Sequence, residues 1–314
     1  MPIIAAPQDF HADDLFVDFT AEFGLYLKCE GFNFAGSIKL KAAQAMIAAA
    51  ERDGLLGPRS VIVESSSGNL GVALAVLAAD QGYDFLCVTD TRCNPATVRM
   101  IEALGSRVHV VTEPDPVDGY LGARLRHVRD LVRADDRHVW LNQYENAANW
   151  QAHYRTTAPA IADRFPALDV LFVGAGTTGT LMGCARYFHE RRPGVTVVAV
   201  DSVGSVTFGG PPLMRFIPGL GAGVRPPMLD LAQVDDVVQV TESDAIDMCH
   251  RLARKGFLFG GSTGTVVTGA ARWLADHGAR QAVAIAPDLG DRYVDSVYEP
   301  SWVREVTGRL DAVR

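Results

Sequence analysis

The sequence predicts an α/β fold made of two modules, each a mostly parallel sheet flanked by helices. Short β-branched runs bounded by turns alternate with longer helical patterns, which is typical of βαβ units. With 314 residues, 48% of them hydrophobic and 21% charged, the chain is long and apolar enough to build two such domains. Three Gly-rich turns, two of them between a strand and a helix and the third opening a helix, mark candidate binding loops.

The first module is predicted from four pairs of a strand and a helix. The strands are SVIVE, DFLCVTD, SRVHVV and HVWLNQY. The helices that follow them span 69–81, 95–104, 118–134 and 151–164. This order favours parallel strands joined by crossover helices.

The second module repeats the rhythm after residue 165. Its predicted strands are LDVLFVGAG, VTVVAVD, DVVQVTE and QAVAIAP, with helices near 179–192, 243–256 and 264–278. Residues 203–229 are rich in Gly and Pro and show no sustained period. A loop of this length in a compact domain usually has a functional role.

Composition excludes several classes of protein. The formal net charge is -8 and no basic stripe is present, so nucleic acid is not expected as a partner. Five cysteines are scattered without C-x-x-C spacing, which predicts no bound metal and a reducing, cytoplasmic location. No apolar run is long enough to span a bilayer, so no membrane association is expected.

The first Gly-rich turn is ESSSGNLGVALA, residues 64–75. Hydroxyl groups, a glycine and free backbone N–H groups at a helix start form a cradle for an anion such as a carboxylate. Capping of the helix by serine explains the same pattern. Both roles stay open for this turn considered alone.

The second turn is LFVGAGTTGTLMG, residues 171–183, with a literal G-x-G-x-x-G motif at Gly174, Gly176 and Gly179. The next strand ends in Asp201, where a dinucleotide site places its ribose ligand, so an NAD-binding Rossmann dehydrogenase is one interpretation. The turn also carries hydroxyls that suit a terminal phosphate monoester better than a pyrophosphate: Thr177, Thr178 and Thr180.

The third turn, FGGSTGTVVTGA (259–270), offers Ser262 or Thr263 to a ligand or to a helix cap. A lysine stands apart from these turns, in NFAGSIKLKAAQAMIAAA (33–50). A helix start and partial burial lower a lysine pKa, and a neutral amine attacks aldehydes. Lys39 is therefore predicted to form a Schiff base and Lys41 to be solvated, although spacing alone does not separate the two positions.

Taken in order, these motifs resemble the fold-type II pyridoxal-phosphate (PLP) enzymes of the cysteine synthase and cystathionine β-synthase family, over nearly the whole chain. LKCEGFNFAGSIKLKAA is similar to the segment whose lysine carries the cofactor, which implies Lys39. ESSSGNLG resembles the loop that binds the substrate carboxylate. That loop implies these ligands, of which the asparagine also touches the cofactor: Ser66, Ser67, Gly68 and Asn69.

Three further motifs complete the resemblance. NQYENAANWQAHYRTTAPAI implies Gln143 as another carboxylate ligand. GGSTG implies that Ser262 meets the pyridine nitrogen, where a neutral serine suits β-elimination. GAGTTGT is similar to the family's cofactor-phosphate loop, which implies Gly176, Thr177, Thr178, Gly179 and Thr180.

The resemblance also implies a domain arrangement. Residues 1–36 plus 146–314 would form a larger PLP-binding domain, and residues 37–145 a smaller, mobile domain that binds the substrate carboxylate. The cofactor would lie between the two domains, and the protein would be a homodimer.

Departures from the sulfide-using members point to a narrower branch. Tyr144 and Thr178 stand where those enzymes often have Phe and Gly, and we take them as acceptor-specificity positions. NFAGSIKLKAA resembles the N-(2-amino-2-carboxyethyl)-L-glutamate synthases of 2,3-diaminopropionate biosynthesis, in siderophore and peptide-antibiotic pathways. That implies a transferase that joins O-phospho-L-serine to L-glutamate by β-replacement.

Three alternatives stay open. One is a cysteine synthase that uses sulfide with O-phosphoserine or O-acetylserine, one is the NAD-dependent dehydrogenase, and one is a non-catalytic relative of the family. Several cations are unranked candidates for a donor phosphate: Arg215, Arg225, Lys41 and Arg92.

Overall fold

A computed structural model describes residues 3–10 and 12–311 of the chain. Within these residues the strands are β1 (Phe16–Phe19), β2 (Leu25–Cys29), β3 (Val61–Ser65), β4 (Asp84–Asp90), β5 (Arg107–Val111), β6 (His138–Trp140), β7 (Val170–Gly174), β8 (Thr196–Ser202), β9 (Asp236–Val240) and β10 (Ala282–Ala286).

The helices of the same residues are α1 (Thr20–Phe23), α2 (Lys39–Arg52), α3 (Asn69–Gln81), α4 (Pro95–Ala103), α5 (Gly119–Ala134), α6 (Ala147–Arg155), α7 (Thr157–Arg164), α8 (Gly179–Arg191), α9 (Glu242–Ala253), α10 (Gly261–His277) and α11 (Pro300–Asp311). Short 3-10 turns lie at Pro7–Asp9, Leu231–Gln233 and Asp291–Tyr293. None of the described helices is both long and apolar enough to cross a membrane.

The chain divides into two compact units. The first unit combines Asn33–Ala152 with the described residues that precede Ala12. Its sheet has the order β5-β4-β3-β6, and every pair of neighbouring strands is parallel. Its core is formed where α2 and α3 pack together, and all residues of α3 from Leu70 to Ala78 are buried.

The second unit combines Ala12–Phe32 with the described residues from His153 onward. Its sheet has the order β1-β2-β10-β7-β8-β9, in which β1 is antiparallel to β2 and the remaining pairs are parallel. Helix α10 lies against this sheet, with Val266 and Ala270 fully buried. The predicted α/β class, with parallel sheets flanked by helices, is confirmed.

Local differences from the predicted elements have physical causes. The predicted helix at 151–164 is two helices, α6 and α7, separated at Thr156. Pro159 lies in the first turn of α7, where a missing N–H is tolerated, whereas it would interrupt a continuous helix. The predicted strand HVWLNQY ends at Trp140, because the chain turns away at Asn142 with a φ of 53°.

The Gly/Pro-rich segment 203–229 contains neither helix nor strand, as its composition predicts. It is held by specific hydrogen bonds. The Ser205 hydroxyl accepts the N–H of Ala222 at 3.0 Å, and the buried Glu242 carboxylate accepts the N–H groups of Phe216 and Ile217 at 2.6–3.0 Å. The segment is therefore a defined loop of the second unit.

Candidate active site

Lys39 is the first residue of α2. The loop before it is shaped by Asn33, whose side chain accepts the N–H of Ala35 at 3.0 Å and donates to the carbonyl of Ser37 at 2.9 Å. Gly36 takes a φ of 64°, a left-handed conformation that glycine adopts readily. The loop therefore places Lys39 at the start of α2.

The Lys39 amine has a lowered pKa, which favours its neutral, nucleophilic form. Its side chain is partly buried, and desolvation lowers the pKa of Lys39 to about 8. Burial acts this way because the charged ammonium loses its hydration. A substantial neutral fraction near pH 8 allows the amine to attack an aldehyde.

The serine turn lies between β3 and α3. The Ser66 hydroxyl accepts the N–H groups of Gly71 at 3.0 Å and Gly68 at 3.3 Å, so it caps the start of α3. The single O–H of Ser66 lies 3.5 Å from the carbonyl of Gly68, at the long limit of a hydrogen bond, so an anion at a shorter distance would compete for this donor. Ser67 and Asn69 are partly exposed beside it.

Gln143 contacts this turn directly. Its buried side-chain amide donates to the carbonyl of Ser65 at 2.8 Å, and its own carbonyl accepts the amide of Asn149 at 2.7 Å. The structure therefore brings Gln143 and the serine turn together within the first unit. Tyr144 follows, and burial raises its pKa.

The predicted phosphate loop joins β7 to α8 in the second unit. Thr178 is the residue before α8 and has a φ of 68°, uncommon for a residue with a side chain. Its hydroxyl is buried and has no hydrogen-bond partner within the described residues. An unsatisfied buried hydroxyl, at a helix start that exposes N–H groups, fits a bound phosphate.

A buried hydrogen-bond chain supports that loop. The fully buried His153 lies 3.3 Å from the Thr180 hydroxyl through Nε2 and 3.1 Å from the Thr157 hydroxyl through Nδ1. Sequence reasoning missed His153, because a single histidine in an amphipathic helix shows no spacing to a threonine 27 positions away. The only sequence feature that could have revealed it is its position in the segment QAHYRTT.

Ser262 lies beneath the Gly/Pro-rich segment. A Cβ atom added to Gly219 would lie 2.3 Å from the Ser262 hydroxyl oxygen, and one added to Gly176 would lie 2.6 Å from the Gly219 carbonyl. The predicted phosphate loop, the Gly/Pro-rich segment and the start of α10 therefore pack closely against one another within the second unit.

Asp201, the ribose ligand of the dehydrogenase interpretation, is fully buried. Its carboxylate accepts the N–H of Ser202 at 2.9 Å, and burial raises the pKa of Asp201 to about 6. A ribose ligand must reach the cofactor, so this position does not serve a dinucleotide. The second unit by itself offers a helix-start anion loop and a neutral hydroxyl, which suit a phosphorylated pyridine, and the first unit holds an amine of lowered pKa.

Comparisons with known proteins agree with this interpretation of the donor groups. Residues 13–288 match the family model described as pyridoxal-phosphate dependent enzyme. An N-(2-amino-2-carboxyethyl)-L-glutamate synthase of Cupriavidus metallidurans is 36% identical over 295 residues, covering 92% of this chain and 86% of that one. A protein of the same name from Ralstonia nicotianae is 40% identical over 288 residues, covering 90% and 84%.

Solved structures give the same result. An O-acetylserine dependent cystathionine beta-synthase from Helicobacter pylori has a TM-score of 0.88 and 26% identity, covering 95% of this chain and 100% of that one. An O-ureido-L-serine synthase has a TM-score of 0.87 and 31% identity, covering 95% and 96%.

The fold and the family match define a fold-type II enzyme that depends on pyridoxal phosphate. The chain belongs to the family of pyridoxal-phosphate dependent enzymes, and its cofactor is pyridoxal 5'-phosphate. The predicted resemblance is confirmed, and the matched range includes the turn that suggested NAD. The roles assigned to individual residues, and the domain boundaries, stay predictions.

Proposed function

We propose that this protein is an N-(2-amino-2-carboxyethyl)-L-glutamate synthase. It replaces the phosphate of O-phospho-L-serine with the amine of L-glutamate, and the product leads toward 2,3-diaminopropionate. The observation that carries the proposal is the 36–40% identity to two synthases of this name over at least 90% of the chain. The motif around Lys39 supports it.

Each loop has a defined role in the proposal. Ser67, Gly68 and Asn69 bind the carboxylate of the amino-acid substrate, with the O–H of Ser66 and the remaining amide N–H of Gln143 as further donors. The turn from Gly176 to Thr180, which includes Thr177, Thr178 and Gly179, holds the cofactor phosphate. Ser262 donates to the pyridine nitrogen without adding charge.

The reaction needs a base and a stabilised carbanion. Pyridoxal phosphate, when bound, supplies an aldehyde that captures amines and a ring that withdraws electrons from Cα. The Lys39 amine takes the proton from Cα, and the bond from Cβ to the phosphate oxygen breaks. The glutamate nitrogen then bonds to Cβ, and Lys39 returns a proton to Cα. The departing phosphate takes up the proton that the glutamate ammonium loses.

The first prediction concerns Lys39. The purified protein should show a visible absorption band that changes on adding O-phospho-L-serine and returns after adding L-glutamate. Lys39→Ala should lack this response and lose activity by at least about a thousandfold, since it removes the amine that both captures the cofactor and moves the proton.

Lys255→Ala is the matched control, since it removes an exposed lysine that pairs with Glu22 and that is not a candidate ligand. It should keep the spectral response, and mass spectrometry should detect the glutamate adduct with both wild type and this control. Recovery of the band with sulfide but not with glutamate would contradict the proposed acceptor. A spectral response that survives in Lys39→Ala would contradict the proposed lysine.

A cysteine synthase is the second candidate, because structural relatives include a hydrogen sulfide-producing enzyme from Fusobacterium nucleatum, with a TM-score of 0.85 and 27% identity. We expect Tyr144→Phe combined with Thr178→Gly to shift preference from glutamate toward sulfide. The exchange at 178 suits the backbone, because glycine tolerates the φ of 68°. Competition between the two nucleophiles, with products quantified, measures the shift, and unchanged selectivity would contradict the assignment.

Further features belong to the same proposal. The donor leaving group is phosphate, the pathway ends in a siderophore or peptide antibiotic, and the enzyme works in the cytoplasm as a homodimer. Two of the unranked cations have structural partners: the Arg215 guanidinium donates to the carbonyl of Gly204, and Arg92 pairs with Asp90 at 3.3 Å. Contacts of this kind do not rank them as phosphate ligands.

A further inference from the structure

Glu64 is a buried carboxylate at the carboxyl end of β3, which sequence reasoning missed. It is 0% exposed, yet it belongs to the strand that leads into the serine turn. Burial of a charged group without compensation is costly, so such a carboxylate is expected to have several hydrogen-bond donors. Because Glu64 lies directly before the serine turn, the groups that donate to it also affect the geometry of the candidate site.

Three N–H groups donate to the Glu64 carboxylate at 2.9–3.2 Å, and the backbone N–H of Asn142 also acts to lower its pKa. Oε1 accepts the backbone N–H of Ser65 at 2.9 Å and the indole N–H of Trp140 at 3.1 Å, and Oε2 accepts the backbone N–H of Gln143 at 3.2 Å. Even with these donors, burial raises the pKa of Glu64 to about 7. Because this pKa lies close to neutral pH, loss of a donor would favour the neutral acid over the carboxylate.

These hydrogen bonds link the carboxyl ends of two neighbouring strands. β3 and β6 are parallel and adjacent, with Val63 opposite Trp140. Glu64 reaches across their carboxyl ends to hold the backbone of Gln143, and the Gln143 side chain returns to the carbonyl of Ser65. Gln143 is thus fixed from both its backbone and its side chain.

We propose that Glu64 is the positioning residue of the candidate carboxylate site formed by the serine turn and Gln143, setting Gln143 and the Ser65–Ser66 peptide in the geometry that binds the α-carboxylate of an amino-acid substrate. This inference rests on the proposed role of that site. It is independent of the donor leaving group and of the acceptor. Glu64 acts through its neighbours and does not touch the substrate.

Glu64→Gln tests the proposal. The amide keeps the size of the side chain but turns an N–H₂ group toward a donor, so one of the three contacts becomes repulsive. The probes are L-serine and L-serinamide, which differ at the carboxylate, and the change in the visible band of the holoenzyme reports their dissociation constants. We expect at least a tenfold loss of affinity for L-serine and less than a twofold change for L-serinamide.

Two further variants sharpen the test. Trp140→Phe removes one donor and keeps an aromatic ring, so it should weaken L-serine binding a few-fold and leave L-serinamide unchanged. Glu51→Gln is the matched control, since Glu51 is an exposed acid of the same unit that accepts the Tyr83 hydroxyl at 2.7 Å. It should behave as wild type with both probes.

The outcomes separate positioning from general stability. Equal weakening of L-serine and L-serinamide, or unchanged L-serine binding in a cofactor-loaded Glu64→Gln, would overturn the proposal. If Glu64→Gln does not fold, Trp140→Phe decides by the same comparison. Failure of O-phospho-L-serine as donor or of L-glutamate as acceptor would leave these binding ratios unaffected, so the two proposals fail separately.

Discussion

Gly219→Ala is expected to weaken cofactor binding by at least tenfold and to destabilise the second unit. Two effects act together at this position. The φ of Gly219 is 109°, which costs a residue with a side chain about 1–3 kcal/mol. The new Cβ would also lie 2.3 Å from the Ser262 hydroxyl oxygen, so either the loop or Ser262 must move.

The expected loss follows from the proposed contact of Ser262 with the pyridine nitrogen. Equilibrium binding of pyridoxal phosphate to the apoenzyme measures it, together with the thermal midpoint. Gly223→Ala is the control on the same segment, because a Cβ there has nothing within 4 Å and its φ is not positive. It should change stability by less than about 0.5 kcal/mol.

Removing the opposing hydroxyl identifies the cause. In Gly219→Ala combined with Ser262→Ala, the overlap is relieved while the backbone strain stays. The double variant should therefore be more stable than the sum of the two single changes predicts, a coupling that a double-mutant cycle reports. Strict additivity, or equal cofactor affinity in Gly219→Ala and Gly223→Ala, would show that the close packing of Gly219 on Ser262 is not what matters.

The contact of Gly219 with Ser262 could not be predicted from the sequence, whereas the strands and helices largely could. The strand and helix rhythm depends on local periodicity, and the predicted helix at 69–81 coincides with α3. The three Gly-rich turns are recognised in the sequence because small residues and hydroxyls at the start of a helix are typical of anion-binding sites. Which turns meet depends on contacts between segments 40 or more residues apart, for which periodicity carries no signal.

Glu64 and His153 show the same limit from the side of polar residues. Each is recognised by what surrounds it after folding: three N–H donors in one case and two hydroxyls in the other. In the sequence both are ordinary members of strand and helix patterns. The antiparallel strand β1 was missed for a related reason, since its four residues are too few to show an alternating pattern.

Lys28 is expected to contribute strongly to stability, although it takes no part in the site. It is 0% exposed in β2, where its ammonium donates to the Asp13 carbonyl at 2.7 Å and lies 3.2 Å from a carboxylate oxygen of Glu30. The ring of Phe16 lies 4.8 Å from the same nitrogen. Lys28→Met keeps the aliphatic stem but removes the ammonium from beside the buried Glu30.

Breaking a buried pair in this way typically costs about 3–5 kcal/mol, because the remaining charge stays desolvated. Urea unfolding of the holoenzyme, followed by circular dichroism, should show a loss of that size for Lys28→Met. Arg133→Met is the control, since Arg133 is 78% exposed and its pair with Asp130 at 3.7 Å lies in water. Pairs of that kind contribute less than about 1 kcal/mol.

The decisive variant combines Lys28→Met with Glu30→Gln. Removing both charges eliminates the desolvation penalty that either charge carries alone, and replacing a whole buried pair is often neutral. The double variant should therefore recover most of the stability that Lys28→Met loses. If instead the second exchange adds its own loss, the contribution of Lys28 comes from packing against Phe16 and from the Asp13 carbonyl, and the charge of Glu30 is compensated by other groups.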